Sequence, residues 1–178
     1  MRAFFAIPFS EALRYSLKNR ISLLEAQYTQ GAVWTTSENW HITLRFFTEV
    51  SHDNVTLIGD YFEDYLKQVT PFTLIGQSIS GFPVVEHPKM AVVNIESTDA
   101  IKAVVTALGG FAVQAGEVRD EHDFRPHVTL ARFRNRPERL DTNKLDQFEI
   151  PVNEFVLYES RPSVSGSNYQ VVRRFPLI

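Results

Sequence analysis

Apolar residues recur at helical spacing in three separate segments of the chain. Leu13, Leu17, Ile21 and Leu24 lie three or four positions apart, which predicts an amphipathic helix near residues 10–28. The same spacing predicts two further helices, over residues 51–69 and from Thr98 or Asp99 to about Gln114.

Between these helices, runs of β-branched and aromatic residues bounded by glycine and proline predict short strands. Residues 137–147 predict a short helix or a loop. The predicted strands cover residues 2–7, 33–34, 40–46, 72–79, 89–95, 125–133, 149–159 and 168–175. The chain is therefore expected to adopt a mixed α+β fold.

Composition narrows the class of protein. With 178 residues, 44% hydrophobic and 22% charged, the chain suits one globular domain over residues 1–178, built from two small lobes. The sequence has no cysteine, which excludes disulfides, thiolate metal sites and a thiol nucleophile and makes the cytoplasm the expected location. No apolar run approaches the roughly 18 residues of a membrane span, so no membrane role is predicted.

The charge distribution argues against nonspecific binding to a duplex through a globally basic surface, because the net charge is −3. Five arginines nevertheless fall between residues 125 and 139. Such clusters are more typical of solvated faces than of phosphate-binding surfaces, although this one adjoins a histidine motif.

That histidine motif occurs twice. His41-Ile42-Thr43-Leu44 and His127-Val128-Thr129-Leu130 lie 86 positions apart, about half the chain, which indicates two related lobes. Residues i and i+2 of a strand share a face, so each motif presents an imidazole beside a hydroxyl group while the apolar residues anchor the strand.

Two such histidines can divide acid–base chemistry at neutral pH. One neutral imidazole accepts a proton while the other, protonated, donates one, because the ordinary pKa of histidine is near 6.5. Thr43 and Thr129 can donate hydrogen bonds to phosphate oxygens. A single His-x-Thr would more often be structural, but the duplication favours catalysis without a metal or other cofactor.

The paired motifs resemble those of the two-histidine phosphoesterase superfamily, and in particular its RNA 2',3'-cyclic phosphodiesterase branch, also called 2'-5' RNA ligase-like. Further similar segments are Arg2–Ile7, Glu38–His41, Arg125–Arg132 and Phe155–Ser160. The resemblance implies a bilobed duplicated α+β fold, in which two antiparallel sheets face a central cleft and helices pack on the outside.

The resemblance also implies an activity: opening of RNA 2',3'-cyclic phosphate ends to 2'-phosphomonoesters, with 2'-5' ligation as the reverse reaction. On this basis His41 is expected to be the proton donor and His127 the proton acceptor, with the reverse assignment left open. The expected partners are RNA ends or nucleotides that carry the cyclic phosphate, and no obligate protein partner is predicted.

Four more residues are candidate substrate contacts. Arg132 and Phe46 suit phosphate pairing and base stacking, but strict alternation would aim both away from the histidines, so a bulge or strand end must intervene. Arg45 shares the parity of His41 and Thr43, and Tyr169 lies on the closing strand. Each also has a structural interpretation, as a solvated or packed side chain.

Other classes of function remain open at this point. A metal-dependent hydrolase would need three or four ligands, and the sequence has no H-E-x-x-H or aspartate-rich motif. The second alternative is a noncatalytic module that binds RNA ends or nucleotides. Within the enzyme class, 2'-5' oligonucleotides and small cyclic nucleotides are alternative substrates.

Overall fold

Nine strands and three α-helices follow one another along the chain in a computed structural model that describes all of residues 1–178. A single 3₁₀ turn, Ser37–Asn39, precedes the first motif. The elements are β1 (Ala3–Pro8), α1 (Glu11–Gln27), β2 (Ala32–Trp34), β3 (His41–Phe47), α2 (His52–Leu66), β4 (Phe72–Phe82), β5 (Met90–Ile95), α3 (Asp99–Gln114), β6 (His127–Phe133), β7 (Asn143–Val152), β8 (Glu154–Ser163) and β9 (Gly166–Pro176).

The strands form two antiparallel sheets, as predicted. A four-stranded sheet has the order β3-β1-β8-β9, and a five-stranded sheet has the order β2-β6-β5-β4-β7. Each sheet therefore holds one motif strand, β3 at the edge of the first and β6 inside the second.

The helices begin at capping hydroxyls, where the side chains of Ser10, Ser51 and Thr98 each accept a hydrogen bond from a backbone N–H three residues later. The three predicted helices are thus confirmed, with α2 three residues shorter at its C-terminal end. Phe62 of α2 packs against Phe5 and Phe155 of the four-stranded sheet, with ring centroids 5.4 Å apart in each pair. This helix covers the face of the sheet that is turned away from His41.

One hydrophobic cluster of 31 buried residues includes side chains of both sheets and of all three helices. Ile42 and Leu44 of the first motif and Val128 and Leu130 of the second belong to it. The apolar positions of both motifs therefore anchor their strands in the core, as the alternation predicted.

The C-terminal third departs from the prediction. Residues 143–147, expected in a short helix or loop, belong to strand β7, and the strand predicted over 149–159 is divided between β7 and β8. Most side chains of Asn143–Gln147 are exposed, so the segment lacks an apolar pattern. Its strand conformation comes from pairing with β4, as in Ile79 opposite Asn143.

Candidate active site

A cavity of about 420 Å³ lies where the two motif strands meet. Seven of the eight predicted site residues line it: His41, Thr43, Phe46, His127, Thr129, Arg132 and Tyr169. Arg2 and Arg132 contribute positive charge, and no aspartate or glutamate lines the cavity. The site therefore suits an anion of the size of a nucleotide.

Both histidines are held in the same way. The Nδ1–H of His41 donates to the carbonyl oxygen of Asn39 at 2.6 Å, and that of His127 donates to the carbonyl oxygen of Arg125 at 2.8 Å. A carbonyl oxygen only accepts, so Nδ1 carries the proton in each ring. In the neutral imidazoles, Nε2 is consequently the free base.

The two Nε2 atoms differ in their partners. The hydroxyl of Thr43 lies 2.9 Å from Nε2 of His41 and donates to it when the ring is neutral. The hydroxyl of Thr129 is directed instead at the sulfur of Met90, 3.8 Å away. Nε2 of His127 thus has no hydrogen-bond partner within the protein.

An aromatic ring supports each imidazole. Phe4 lies under His41 with ring centroids 4.8 Å apart, and Phe82 lies under His127 at 4.3 Å, with similar tilts of 32° and 31°. Tyr169 packs edge-on against His41, with a centroid separation of 5.4 Å. Each ring restricts the rotation of its histidine, which holds Nε2 in a fixed direction.

A β-bulge follows the threonine in both motifs. Against β1, Phe5 pairs with Arg45 and Ala6 with Thr43, so Leu44 is the extra residue. Against β5, Ala91 pairs with Ala131 and Val92 with Thr129, so Leu130 is the extra residue. The predicted interruption of strict alternation is therefore present twice, at equivalent positions.

The bulges reverse the parity of the residues that follow. Phe46 and Arg132, each five positions after its histidine, turn back into the cavity. The two motif strands thus use the same structural position for an aromatic ring in β3 and for a guanidinium group in β6. The guanidinium of Arg2 lies 5.5 Å from the centre of the Phe46 ring.

Strict alternation would place Arg45 on the same face of β3 as His41 and Thr43. The bulge at Leu44 turns Arg45 away from this face and out of the site. Its guanidinium lies 3.0 Å from a carboxylate oxygen of Asp120 and donates to the carbonyl oxygen of Val118 at 2.6 Å. It does not line the cavity that contains both histidines. In this arrangement it ties β3 to the segment that follows α3.

Burial lowers the pKa of His41 to about 4, because the charged ring loses solvation and lies near the positive charges of His127 and Arg132. The hydrogen bond to Asn39 opposes this effect. Burial likewise lowers the pKa of His127, assisted by the charges of Arg125 and Arg132. Without an anion both imidazoles are therefore neutral at pH 7.

The sequence analysis missed several residues that contribute to the candidate active site. Arg2 and Phe4 belong to a predicted strand, also a landmark of the resemblance, that was given no role in the site, and pairing of Phe4 with Phe46 brings Phe4 into the site. Phe82 had no signal, because it is the last residue of β4, far from both motifs in sequence, and the pairing of β4 with β5 brings it beside His127. The carbonyl groups of Asn39 and Arg125 carry no side-chain signal at all.

The arginines near the second motif have different environments. Only Arg132 lines the cavity, whereas Arg139 forms ion pairs with Glu86 and Asp141. The five arginines therefore do not form one phosphate-binding surface.

The chain brings together no group of three or more His, Cys, Asp or Glu side chains that could hold a metal ion. It also has no helix with the length and apolar character needed to cross a membrane.

Two sheets that each present a histidine to one cavity define a two-histidine phosphoesterase type of fold. A sequence model of the 2'-5' RNA ligase superfamily matches residues 17–162. The chain belongs to this superfamily.

Relatives and solved structures agree with this assignment. Proteins named RNA 2',3'-cyclic phosphodiesterase are 25% identical in Thermotoga maritima, over 97% of this chain and 93% of the relative, and 28% identical in Archaeoglobus fulgidus, over 98% and 99%. A crystal structure of a protein from Thermus thermophilus superposes with a TM-score of 0.87 at 22% identity, covering 99% and 98% of the two chains. The Escherichia coli LigT structure complexed with 3'-AMP gives 0.81 at 22% identity, covering 99% and 97%.

Proposed function

We propose that the protein hydrolyses 2',3'-cyclic phosphate ends of RNA to 2'-phosphomonoesters, using His41 and His127 as a metal-independent acid–base pair. The observation that carries the proposal is the matched support of the two imidazoles. Both are held through Nδ1 by a carbonyl oxygen two residues earlier, and both line one cavity without carboxylates. The names of the relatives and the complex of LigT with 3'-AMP support a nucleotide phosphate as the ligand.

The asymmetry of the Nε2 partners supports the assignment of roles. Nε2 of His127 is unpartnered and free to take a proton from water, which makes His127 the base. Nε2 of His41 adjoins the hydroxyl of Thr43, so the protonated ring has an acceptor until it delivers its proton to the leaving oxygen. The bound phosphate anion raises the pKa of His41, because it opposes the burial that lowers it.

The reaction then proceeds in line at phosphorus. The neutral His127 removes a proton from water as the water oxygen bonds to phosphorus. The bond from phosphorus to O3' breaks, and O3' takes the proton from His41. The phosphate stays on O2', and proton exchange with solvent resets the two histidines.

The surrounding side chains bind the substrate in this scheme. The hydroxyls of Thr43 and Thr129 donate to the nonbridging oxygens, and Arg132 supplies charge for the phosphate. Phe46 offers a face for the nucleobase, and Tyr169 lines the same cavity edge-on to His41. Arg45 acts outside the cavity and is assigned no contact with the phosphate.

The test is an end-group analysis in the presence of a chelator. The purified protein is incubated with an oligoribonucleotide that ends in a 2',3'-cyclic phosphate, and the product is separated into 2'- and 3'-phosphates. Conversion to the 2'-phosphate alone is expected. Tight binding with no product would contradict the proposal and favour a noncatalytic RNA-end module, and loss of turnover with chelator would favour a metal enzyme.

A further inference from the structure

A methionine sulfur contacts two of the side chains that bind the phosphate in the proposed function. Met90 is the first residue of β5 and lines the cavity together with both histidines. Nη1 of Arg132 donates to its sulfur at 3.1 Å, and the hydroxyl of Thr129 donates to the same atom at 3.8 Å. The bound phosphate must therefore take both donors away from this sulfur.

The pairing of the strands fixes the position of Met90. Met90 of β5 pairs with Arg132, just as Phe4 of β1 pairs with Phe46, and each pair lies just past the bulge of its motif strand. In the first sheet the two side chains are aromatic rings that stack with centroids 6.1 Å apart. In the second sheet they are a thioether and a guanidinium group. The equivalent position thus carries an oxidisable atom in only one of the two sheets.

The oxidation state of this sulfur changes its strength as an acceptor. A thioether accepts only weak hydrogen bonds, so Arg132 and Thr129 can exchange it for phosphate oxygens. Oxidation to the sulfoxide converts the apolar thioether into a polar group that carries an oxygen. That oxygen would form next to two donors that are already directed at the sulfur. The phosphate would then have to compete with a stronger acceptor for the same two groups.

The sulfur of Met90 is within reach of small molecules that enter the cavity. The side chain is half-buried and lines the same space as the histidines. The chain has no cysteine and one other methionine, Met1, which does not line the cavity. The amino group of Met1 donates to the carbonyl oxygen of Val50 at 2.8 Å. Met90 is therefore the single sulfur through which an oxidant can act directly on the site.

We propose that Met90 is a site of reversible oxidation by hydroperoxides, and that its sulfoxide inhibits the enzyme by holding Arg132 and Thr129 away from the phosphate. This inference rests on the proposed function, which makes these two groups substrate contacts. The sulfur attacks one peroxide oxygen, the O–O bond breaks, and the departing oxygen takes the proton of the transferred hydroxyl. Sulfur loses two electrons, and hydrogen peroxide is reduced to water. A methionine sulfoxide reductase reverses the step with a dithiol, which becomes a disulfide as the oxygen leaves in water.

The test measures activity and binding before and after treatment with hydrogen peroxide, and peptide mass spectrometry locates the added oxygen. In wild type, gain of one oxygen atom at Met90 should lower kcat/KM for a 2',3'-cyclic phosphate at least about tenfold, because hydrogen bonds to a charged ligand are lost. The affinity for adenosine 2'-monophosphate, measured by calorimetry, should fall with it. Methionine sulfoxide reductase and dithiol should restore both.

Three variants separate this sulfur from other targets of peroxide. Met90→Leu lacks the oxidisable atom and should keep nearly all of its own untreated activity after the same dose. Addition of Leu23→Met to this variant moves the methionine to an exposed position of α1 outside the cavity, with little change in volume. This matched control should gain oxygen at residue 23 and also keep its activity. Met90→Gln carries an amide oxygen in place of the sulfoxide oxygen, so without peroxide it should bind adenosine 2'-monophosphate less tightly than Met90→Leu.

Several outcomes would overturn the inference. The first is complete oxidation of Met90 with unchanged kcat/KM and affinity. The second is an equal loss of activity in wild type and Met90→Leu, which would assign the damage to another residue. The third is a Met90 that stays reduced at doses that oxidise Met1. Failure of the untreated protein to open any cyclic phosphate would instead overturn the proposed function, whereas the site of oxidation and the affinity for adenosine 2'-monophosphate would still be measured.

Discussion

Individual residues set the protonation states on which the chemistry depends. His41 is neutral without a ligand because burial and the neighbouring positive charges lower its pKa to about 4. A phosphate anion in the same cavity offsets both causes. In the proposed mechanism His41, the acid, is therefore charged only when a substrate is bound, and the free site does not hold a buried, unpaired cation.

The pKa of His41 predicts how stability depends on pH. The unfolded chain binds a proton at this residue below about pH 6.5, whereas the folded chain does so only below about 4. The free energy of unfolding should therefore fall as the pH is lowered from 6.5 to 4 and not change further through this group. Urea titrations across this range should show a smaller fall for His41→Gln than for wild type.

Sulfate provides the control for that measurement, because it stays a dianion over the whole range. Bound in the cavity, it should favour the charged His41 and reduce the slope of stability against pH in wild type. An equal slope in wild type and His41→Gln, with and without sulfate, would show that His41 is not the group that titrates.

The division of roles between the histidines can be tested with a bridging sulfur at the 3' position of the cyclic phosphate. A thiol has a pKa near 8.5, so a thiolate leaves without a proton donor. His41→Ala should lose at least about 100-fold in kcat on the oxygen substrate and less than about tenfold on the sulfur substrate. His127→Ala should lose activity on both. Rescue of His127→Ala instead would exchange the two roles.

At the scale of elements, the two β-bulges decide which side chains reach the substrate. Leu44 and Leu130 are the extra residues, and without them Arg45 and Ala131 would face the cavity in place of Phe46 and Arg132. Each bulge thus allows its strand to anchor two apolar side chains in the core. The residue five positions after the histidine, Phe46 or Arg132, is still directed into the site.

Position 131 tests the second bulge. Ala131 is fully buried against Ala91 and Leu140, so Ala131→Arg should lower the free energy of unfolding by about 3 kcal/mol or more, because it buries a charge without a partner. Arg132→Ala, next to it and exposed, should change stability by less than about 0.5 kcal/mol while weakening phosphate binding. Urea denaturation of the two variants checks this. Tolerance of arginine at position 131 would contradict the bulge.

The sequence predicts most of the helices and strands, because the spacing of their apolar residues is visible along the chain. Leu13 to Leu24 repeat at a helical period, and the parity conflict at Phe46 and Arg132 itself predicts an interruption of each strand. The location of the bulges is not predicted, since Leu44 and Leu130 look like ordinary core positions. Residues 143–147 of strand β7 were predicted as a short helix or loop because pairing with β4, and not their own pattern, determines their conformation.

At the scale of the whole molecule, the net charge of the chain is negative, whereas the charged side chains that line the cavity are positive. The chain carries a net charge of −3, while the cavity is lined by Arg2, Arg132 and two histidines and by no carboxylate. The positive charge of the cavity thus lies at the point where both sheets contribute, which is where the proposed function places the RNA end. Because each sheet supplies one histidine, neither sheet forms the site by itself.

The most direct test of this account is the rate of opening of a 2',3'-cyclic phosphate by His41→Ala, His127→Ala and the double variant. In the proposed mechanism both histidines act on the same phosphate, so each single substitution should lower kcat/KM by at least about 100-fold, and the double variant should lose little more than the more damaged single variant. A single variant that keeps activity within tenfold of wild type, with an intact fold by circular dichroism, would contradict the two-histidine mechanism.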